Sequence, residues 1–216
     1  MAEVPSVVFE AEEFAEMVDE KGWLASSCCP AFVEYIRTQF PEIADHIAPT
    51  PSPMVLQGRK IKKENPDYKV VFIGPCIAKK RESLQEDSCI DAVLTFEELG
   101  AMFEARDIKL EELESIDASF GKATKYGRGF SVSGGVAEAL EAALNAQDLN
   151  VDLKPVKANG LEECKKMLNL AKFGKLPGNF IEGMSCEGGC IAGPATLVMP
   201  RQGKNAVKKY KEENKI

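Results

Sequence analysis

Residues 70–82 read Val-Val-Phe-Ile-Gly-Pro-Cys-Ile-Ala-Lys-Lys-Arg-Glu, and this stretch decides the fold class. Its apolar start lies between a polar turn and Gly74-Pro75, which is the pattern of a short buried strand. Cys76 follows at the end of that predicted strand. Open α/β sheets bind ligands outside the carboxyl ends of their strands, so this position favours a functional thiol.

Strand-like and helix-like segments alternate along the rest of the chain. Short apolar runs predict further strands at residues 92–94, at 151–156 and near Ile181. Amphipathic spacing and capping residues predict helices over residues 10–20, 30–40, 54–63 and 160–173, with two more after Thr95 and from Gly135. This order predicts an α/β fold, a mostly parallel twisted sheet flanked by helices, in a single domain over residues 1–216.

Length and composition exclude several classes of protein. The chain has 216 residues, of which 44% are hydrophobic and 28% charged, as in ordinary globular domains. A net charge of −7 argues against nucleic-acid binding, and the basic tail at 201–215 is typical of a solvated helix end. No apolar run approaches the roughly 20 residues of a membrane span. The first 20 residues carry Glu and Asp rather than a basic, then apolar, signal segment, which predicts a cytoplasmic location away from membranes.

Seven cysteines in such a chain indicate metal binding or catalysis more than cross-linking. Cys89 and Cys164 lie in ordinary periodic surroundings, where a free thiol packs as a small hydrophobe. The other five lie beside Pro or Gly and at predicted strand ends or helix starts: Cys28, Cys29, Cys76, Cys186 and Cys190. We expect these thiols to meet at one edge of the sheet, with Cys186 and Cys190 on one side of a helical turn.

Four thiolates without a supporting histidine suit a tetrahedral zinc ion or an iron–sulfur cluster. The single histidine, His46, is remote from the cysteine motifs and is interpreted as a packing residue. Zinc ribbons usually carry C-x-x-C pairs, which this chain lacks, so the spacing disfavours zinc without excluding it. The sequence supports a redox-active dithiol less than it supports zinc, because the adjacent Cys28-Cys29 is not a C-x-x-C motif.

Three segments resemble the signature motifs of the iron-only (FeFe) hydrogenases, in that family's order. They are Ser26-Ser27-Cys28-Cys29-Pro30-Ala31-Phe32, Gly74-Pro75-Cys76-Ile77-Ala78-Lys79-Lys80-Arg81-Glu82 and Glu182-Gly183-Met184-Ser185-Cys186-Glu187-Gly188-Gly189-Cys190. The resemblance covers nearly the whole chain. It implies one lobe, the C-terminal one, of the two-lobed domain that holds the H-cluster, a 4Fe–4S cubane joined to a two-iron subcluster.

The resemblance also implies roles for individual residues. The cubane ligands are Cys29, Cys76, Cys186 and Cys190, and Cys190 also bridges to the two-iron subcluster. Cys28 is the proton relay, Lys79 donates to a cyanide ligand of the two-iron subcluster, and Met184 packs beside it. Glu10 and Glu82 occupy positions of relay acids, and Ser52 matches a family serine.

Simpler interpretations stand beside these roles, and the chain departs from the family pattern. Lys79 and Glu82 also fit an exposed helical i,i+3 ion pair, and Met184 also fits plain core. Ala48 occupies the place of a relay serine, and Gly74 replaces a frequent methionine. These departures resemble a divergent, sensory branch of the family.

The function implied is that of a part of an FeFe-hydrogenase, whose parent interconverts dihydrogen with protons and electrons. The chain lacks the N-terminal lobe and ferredoxin-like domains of that family, so we expect it to bind a cubane poorly and to be inactive alone. Its electron partner is then a ferredoxin or an upstream iron–sulfur domain. The alternative is a non-catalytic relative, either a cluster-carrying sensor or an iron–sulfur assembly factor.

Overall fold

A computed structural model describes residues 5–114 and 123–212 of the chain. The helices are α1 (Pro5–Lys21), α2 (Pro30–Gln39), α3 (Pro53–Glu64), α4 (Ala78–Glu82), α5 (Phe96–Ala105), α6 (Lys125–Gly129), α7 (Gly135–Ala146), α8 (Leu161–Lys172) and α9 (Pro200–Glu212). The strands are β1 (Leu24–Ala25), β2 (Val71–Gly74), β3 (Ala92–Thr95), β4 (Pro155–Asn159) and β5 (Phe180–Met184). Short 3₁₀ turns cover Pro41–His46, Leu110–Glu112 and Cys190–Ala192.

The strands form two parallel sheets. The central sheet has the order β1-β5-β4, with Leu24 and Pro155 both in register with Phe180. The second sheet pairs β2 with β3, from Val71 opposite Ala92 to Gly74 opposite Thr95. The predicted fold class, α/β with parallel strands flanked by helices, is confirmed, although the strands divide between two sheets.

One face of the central sheet is covered by α1 and α7. Phe180 points to this face, and its ring meets that of Phe14 edge-on at a centroid distance of 5.8 Å. Buried residues at helical spacing line both helices: Val7, Ala11, Phe14 and Val18 on α1, and Val136, Leu140, Ala143 and Leu144 on α7. This apolar face anchors α1, and therefore fixes where its acidic residues lie.

The opposite face of the same sheet is covered by α2 and α8. Ile181 alternates with Phe180 along β5 and packs with Phe32 and Ile36 of α2 and Leu168 of α8. All five residues of β5 are buried, as expected for a central parallel strand covered on both sides. The carboxyl ends of β1 and β5 are thereby held side by side.

The second sheet is much less covered than the sequence predicts. The capping box expected at Thr95 and Glu98 is present and starts α5. However, the prediction of a buried strand at residues 70–73 is wrong in one respect, because Val71 and Ile73 are 46% and 42% exposed. The strand exists where expected, but one of its two faces is open.

The fourth strand begins later than predicted. Apolar periodicity suggested a strand over residues 151–156, whereas β4 runs from Pro155 to Asn159. The segment before it is held by the side chain of Asn179, which accepts from Lys154 N at 2.6 Å and donates to Asp152 O at 2.7 Å. These side-chain bonds replace the backbone ladder there.

The basic tail forms the helix α9, which agrees with the solvated helix end predicted at residues 201–215. Lys204 and Lys208 are exposed, and Lys211 reaches back to Glu138 at 3.0 Å. Residues 213–215 of the predicted tail lie outside the described part of the chain. None of the helices in the described ranges is long and apolar enough to span a membrane.

Candidate metal centre

Four of the five cysteines that lie beside Pro or Gly follow the carboxyl ends of strands, and these strands belong to both sheets. Cys28 and Cys29 follow β1, and Cys29 is the N-cap residue of α2, with its carbonyl accepting from Val33 N at 3.0 Å. Cys76 follows β2, and Cys186 follows β5. The thiol of Cys29 lies 3.9 Å from the Ser185 hydroxyl, so the loops after β1 and β5 are in contact.

The charges of Cys29 and Cys76 act on both Cys186 and Cys190, so these four thiols lie within electrostatic range of one another. Burial, followed by the neighbouring Cys29 and Cys76, raises the pKa of Cys190 to about 12, with Cys186 adding to the effect. Burial and the same two cysteines also raise the pKa of Cys186. Within residues 5–114 and 123–212, no three His, Cys, Asp or Glu side chains are close enough together to hold a single metal ion. The thiols are therefore neighbours that do not converge on one point.

The connection between Cys186 and Cys190 is a glycine turn, and the helical turn predicted there is wrong. Gly188 and Gly189 have φ values of +94° and +91°, and Gly189 N donates to Cys186 O at 3.0 Å. A Cβ on Gly189 would lie 2.6 Å from Ser131 O, so a side chain is excluded there. This turn lets Cys190 begin a 3₁₀ turn in the same region as Cys186.

A buried cation lies beside the cysteines. Lys79 and Glu82 are each only 8% exposed, so the interpretation of an exposed ion pair is wrong. The Lys79 ammonium donates to Glu82 Oε2 at 2.6 Å, to Ser52 Oγ at 2.9 Å and to Cys28 O at 3.4 Å. Its three protons thus have three acceptors, and the contact with the Cys28 carbonyl is the longest.

A buried acid of α1 faces Cys28. Glu10 is buried, and its Oε1 has no hydrogen-bond partner among the described residues. Burial, then the charges of Glu13 and Glu182, raise the pKa of Glu10 from 4.5 to about 8. Burial and the charge of Glu10 in turn raise the pKa of Cys28 well above 9.0. Both groups are therefore able to carry a proton near neutral pH.

Two further polar residues of this cluster were missed by the sequence interpretation. Glu13 Oε2 accepts from Thr50 N at 2.9 Å and also from the Thr50 hydroxyl. Thr50 is buried, and its carbonyl accepts from Ser27 Oγ at 2.5 Å. The spacing of Glu13 three residues after Glu10 on one helix could have indicated it, whereas Thr50 carries no sequence signal.

A third missed residue is the buried Glu182 of β5. Its carboxylate accepts from Gly134 N at 2.5 Å and from Ala137 N at 2.8 Å, at the N-terminus of α7. Burial raises the pKa of Glu182, and these two backbone bonds oppose the shift. A Cβ on Gly135 would lie 2.1 Å from Gly129 O, so this glycine allows close packing at the start of α7. The backbone N–H groups of Gly134 and Ala137 therefore hold an internal carboxylate.

Three more residues singled out from the sequence are packing residues. Met184 ends β5 and is buried in the cluster around Phe180. Cys164 is buried and its thiol donates to Ala158 O at 3.6 Å. His46 stacks on Trp23 with a centroid distance of 4.1 Å and lies 2.9 Å from its carbonyl, as a packing residue should.

The fold is the α/β fold of FeFe-hydrogenase-like domains, with cysteines after strands of both sheets. The family of the iron-only hydrogenase large subunit, C-terminal domain, matches residues 2–194, and the chain belongs to that family.

Curated relatives fall into two groups. The chain is 30% identical to the periplasmic Fe hydrogenase large subunit of Nitratidesulfovibrio vulgaris, over 88% of this chain and 56% of that protein. It is 27% identical to a probable cytosolic Fe–S cluster assembly factor of Drosophila mojavensis, over 90% of this chain and 52% of that protein. The chain thus spans about half the length of these relatives.

Solved structures share the fold. An FeFe-hydrogenase from Chlamydomonas reinhardtii superposes with a TM-score of 0.70 at 18% identity, covering 94% of this chain and 71% of that one. The family relationship therefore holds in both sequence and architecture, and it includes hydrogenases and assembly factors alike.

Proposed function

We propose that this chain is the cluster-holding part of an FeFe-hydrogenase. Cys29, Cys76, Cys186 and Cys190 would hold a 4Fe–4S cubane, and Cys190 would also help to hold a two-iron subcluster. When bound, this H-cluster supplies the redox chemistry that interconverts dihydrogen with protons and electrons. The parent protein is then a hydrogenase, with residues 1–216 as one domain of it.

The observation that carries the proposal is the shared neighbourhood of four thiols from three distant loops. The loops touch one another: Cys29 Sγ lies 3.9 Å from Ser185 Oγ, and Pro75 O accepts from Ala195 N at 3.2 Å in the loop after Cys190. The charges of Cys29 and Cys76 also raise the pKa values of Cys186 and Cys190, after burial. The donor set is all sulfur, with no imidazole beside it, because His46 is stacked on Trp23. Thiolate ligands without histidine are the usual donors of iron–sulfur clusters. The residues present therefore fit the cofactor that the family implies.

The cation and thiol beside the cysteines have distinct roles in the proposal. Lys79 holds a positive charge in a buried site, where it favours an anionic ligand. It turns toward such a ligand by giving up its longest bond, to the Cys28 carbonyl at 3.4 Å. Cys28 holds the proton that enters or leaves the site at its Sγ, and Met184 shields the same region from water.

Two acids lead the proton away from Cys28. The free Oε1 of Glu10 accepts it, because this atom has no other partner among the described residues. Glu13 and the Thr50 hydroxyl continue the path toward a groove of about 1090 Å³ that Thr50, Ser52 and Glu82 line. Glu82, which accepts from Lys79, provides a second route by which a proton leaves the site. Ser52 holds the Lys79 ammonium in place by accepting from it.

The proposal includes partners outside this chain. A further lobe completes the wall around the two-iron subcluster, and a ferredoxin or an additional iron–sulfur domain exchanges electrons. Relatives are named both periplasmic and cytosolic, and we favour the cytosol, which the names of the assembly-factor relatives state.

The test is anaerobic reconstitution of the purified chain with iron and sulfide, then with a synthetic two-iron precursor. We expect weak cubane binding and no hydrogen evolution from the chain alone. The parent protein treated in the same way should evolve hydrogen, and Cys28→Ala should remove most of that turnover while the cubane spectrum persists. Hydrogen evolution that survives Cys28→Ala in the parent would contradict the proton route.

The second candidate is a cluster-binding protein without hydrogenase turnover. The assembly-factor relatives, 27% identical over 90% of this chain, favour it. Ala48 at the family's serine position also points to a slowed proton path and hence to a sensor. A parent protein that holds a cubane, takes up no two-iron precursor and is indifferent to Cys28→Ala would establish this second function.

A further inference from the structure

The turn between Cys186 and Cys190 is held from outside at Gly188. The Gly188 N–H donates to Asn159 Oδ1 at 2.6 Å, and the Gly188 carbonyl accepts from Ser133 N at 3.2 Å. Gly188 has a φ of +94°, in the region where glycine is conformationally free. The conformation of this turn is therefore fixed by contacts with two distant parts of the chain.

The backbone of Asn159 is anchored in the central sheet. Asn159 is the last residue of β4 and lies in register with Met184 of β5, which ends shortly before Cys186. The Asn159 N–H donates to Glu163 Oε2 at 2.8 Å in the first turn of α8, and the Gly160 N–H donates to Met184 O at 2.8 Å. The side chain of Asn159 therefore starts from a fixed position beside the cysteine turn.

The opposite end of the same sheet has a comparable tie made by the same residue type. Asn179, directly before β5, accepts from Lys154 N at 2.6 Å and donates to Asp152 O at 2.7 Å. Asn179 and Asn159 are both partly buried, and each joins segments that are distant in the sequence. Of the two, only Asn159 holds a segment that carries cysteines. The two asparagines therefore form a matched pair for experiment.

The turn decides where two of the four candidate ligands lie relative to each other. Cys186 follows β5, Cys190 begins a 3₁₀ turn, and Gly188 lies midway between them. Without the Asn159 oxygen the Gly188 N–H loses its partner, and a glycine turn released in this way samples more conformations. Metal ligands are oriented by the groups hydrogen-bonded around them, and removal of such a group weakens metal binding.

We propose that Asn159 is a positioning residue of the metal centre. Its amide oxygen holds the Gly188 N–H and thereby sets the relative position of Cys186 and Cys190 before a cluster binds. Asn159 acts through the turn and is not itself a ligand. An amide suits this place better than a carboxylate, because it accepts the same hydrogen bond without adding negative charge beside thiolate ligands. The inference rests on the proposed function only in taking the bound group to be a 4Fe–4S cubane.

The first test follows the turn without a cluster. The full-length parent protein is prepared free of iron, and exchange of the Gly188 N–H is measured by nuclear magnetic resonance on protein with isotope-labelled glycine. We expect Asn159→Ala to speed this exchange at least about tenfold. Asn159→Asp keeps an accepting oxygen and should stay within about threefold of wild type.

The control for this test is Asn179→Ala, which also removes side-chain bonds to the backbone. It should lower the thermal unfolding temperature about as much as Asn159→Ala does, while exchange at Gly188 stays unchanged. Exchange at Gly188 that is unaffected by Asn159→Ala, or that Asn179→Ala raises equally, would overturn the inference.

The second test measures iron, sulfide and the reduction potential of the cubane in the parent protein isolated without oxygen. We expect Asn159→Ala to lower the cubane content at least about threefold. Asn159→Asp should keep the cubane and move its potential to a more negative value, because a nearby negative charge disfavours the added electron. Asn179→Ala should keep the content and the potential of wild type.

Two results of this second test would also overturn the inference. They are wild-type content and potential in both Asn159 variants, and an equal loss of cubane in Asn179→Ala. A wild-type parent protein without any cubane would refute the proposed function, and the exchange measurement would then decide separately whether Asn159 holds the turn.

Discussion

The two parallel sheets of this protein contrast in how they are covered. The central sheet has α1 and α7 on one face and α2 and α8 on the other, and β5 is buried along its whole length. The β2–β3 sheet packs one face on α3 and leaves the other exposed. The metal centre lies where the ends of both sheets meet. The cysteines in the loops after β1 and β5 are therefore supported by a sheet that is covered on both faces. Cys76, after β2, follows a sheet with one exposed face.

The largest expected effect is on the central sheet. Phe180→Ala removes a fully buried ring that packs against Phe14, and we expect the free energy of unfolding to fall by about 3–5 kcal/mol. The matched change on the second sheet, Val71→Ala, should cost less than about 1 kcal/mol, because Val71 is half exposed. Urea unfolding followed by circular dichroism measures both. Equal losses would mean that the two sheets do not differ as described.

The junction of the two sheets is tested by the buried ion pair. Lys79→Met leaves Glu82 buried without its cation, and we expect a loss of about 3 kcal/mol. The neighbouring Lys80 pairs with Glu98 on the surface, so Lys80→Met should cost less than about 1 kcal/mol. The same urea titration compares them. A Lys79→Met variant as stable as the Lys80→Met variant would show that water reaches the Glu82 carboxylate.

The buried carboxyl of Glu10 in α1 predicts that the stability of the protein depends on pH. The folded pKa of Glu10, about 8, lies above its ordinary value of 4.5, so the folded state binds this proton more tightly than the unfolded chain does. Stability from this group is therefore full below about pH 4.5 and is lost as pH rises toward 8.

Glu10→Gln should remove that loss and make the protein more stable than wild type at pH 8. Glu12→Gln, at an exposed position of the same helix, is the control and should leave the pH profile unchanged. Thermal unfolding between about pH 5 and about pH 8 gives the measurement. Parallel profiles for wild type and Glu10→Gln would place the Glu10 carboxyl in water.

The smallest expected effect is on the exposed strand. Val71→Thr keeps a β-branched side chain and should change the unfolding free energy by less than about 0.5 kcal/mol. Amide hydrogen exchange should show β2 opening much more readily than β5 in the chain alone. Equal protection of the two strands would indicate that the second sheet is stable without further cover.

The sequence predicted the elements better than their surroundings. Strands at β2, β3 and β5 and the helices α1, α2, α3, α5, α7 and α8 follow from apolar spacing, capping and prolines, which are local signals. The short elements β1 and α6 were not predicted. The exposure of Val71 was not predictable, because an apolar strand has the same sequence whether its own chain or another one covers it. The role of Thr50 was not predicted for a similar reason, because only the fold brings this residue next to Glu13.

The candidate site was predicted from motifs and corrected by the fold. Five thiols were expected at strand ends or helix starts. Cys28, Cys29, Cys76 and Cys186 follow strands, and Cys190 begins a 3₁₀ turn. The spacing of Cys186 and Cys190 suggested a helical turn, but Gly188 and Gly189 take positive φ and form a tight turn. The buried state of Lys79 and Glu82 depends on contacts with Ser52 and Cys28, residues that are distant in the sequence.

The most direct test of the central claim is the iron and sulfide content of the parent protein, isolated without oxygen, together with its electron paramagnetic resonance spectrum. Cys186→Ser and Cys89→Ser are compared, because both thiols are partly exposed and only Cys186 belongs to the four-thiol group. The account predicts that Cys186→Ser loses the cubane signal and its iron, while Cys89→Ser keeps both. Cubane content and spectrum unchanged by Cys186→Ser would contradict it.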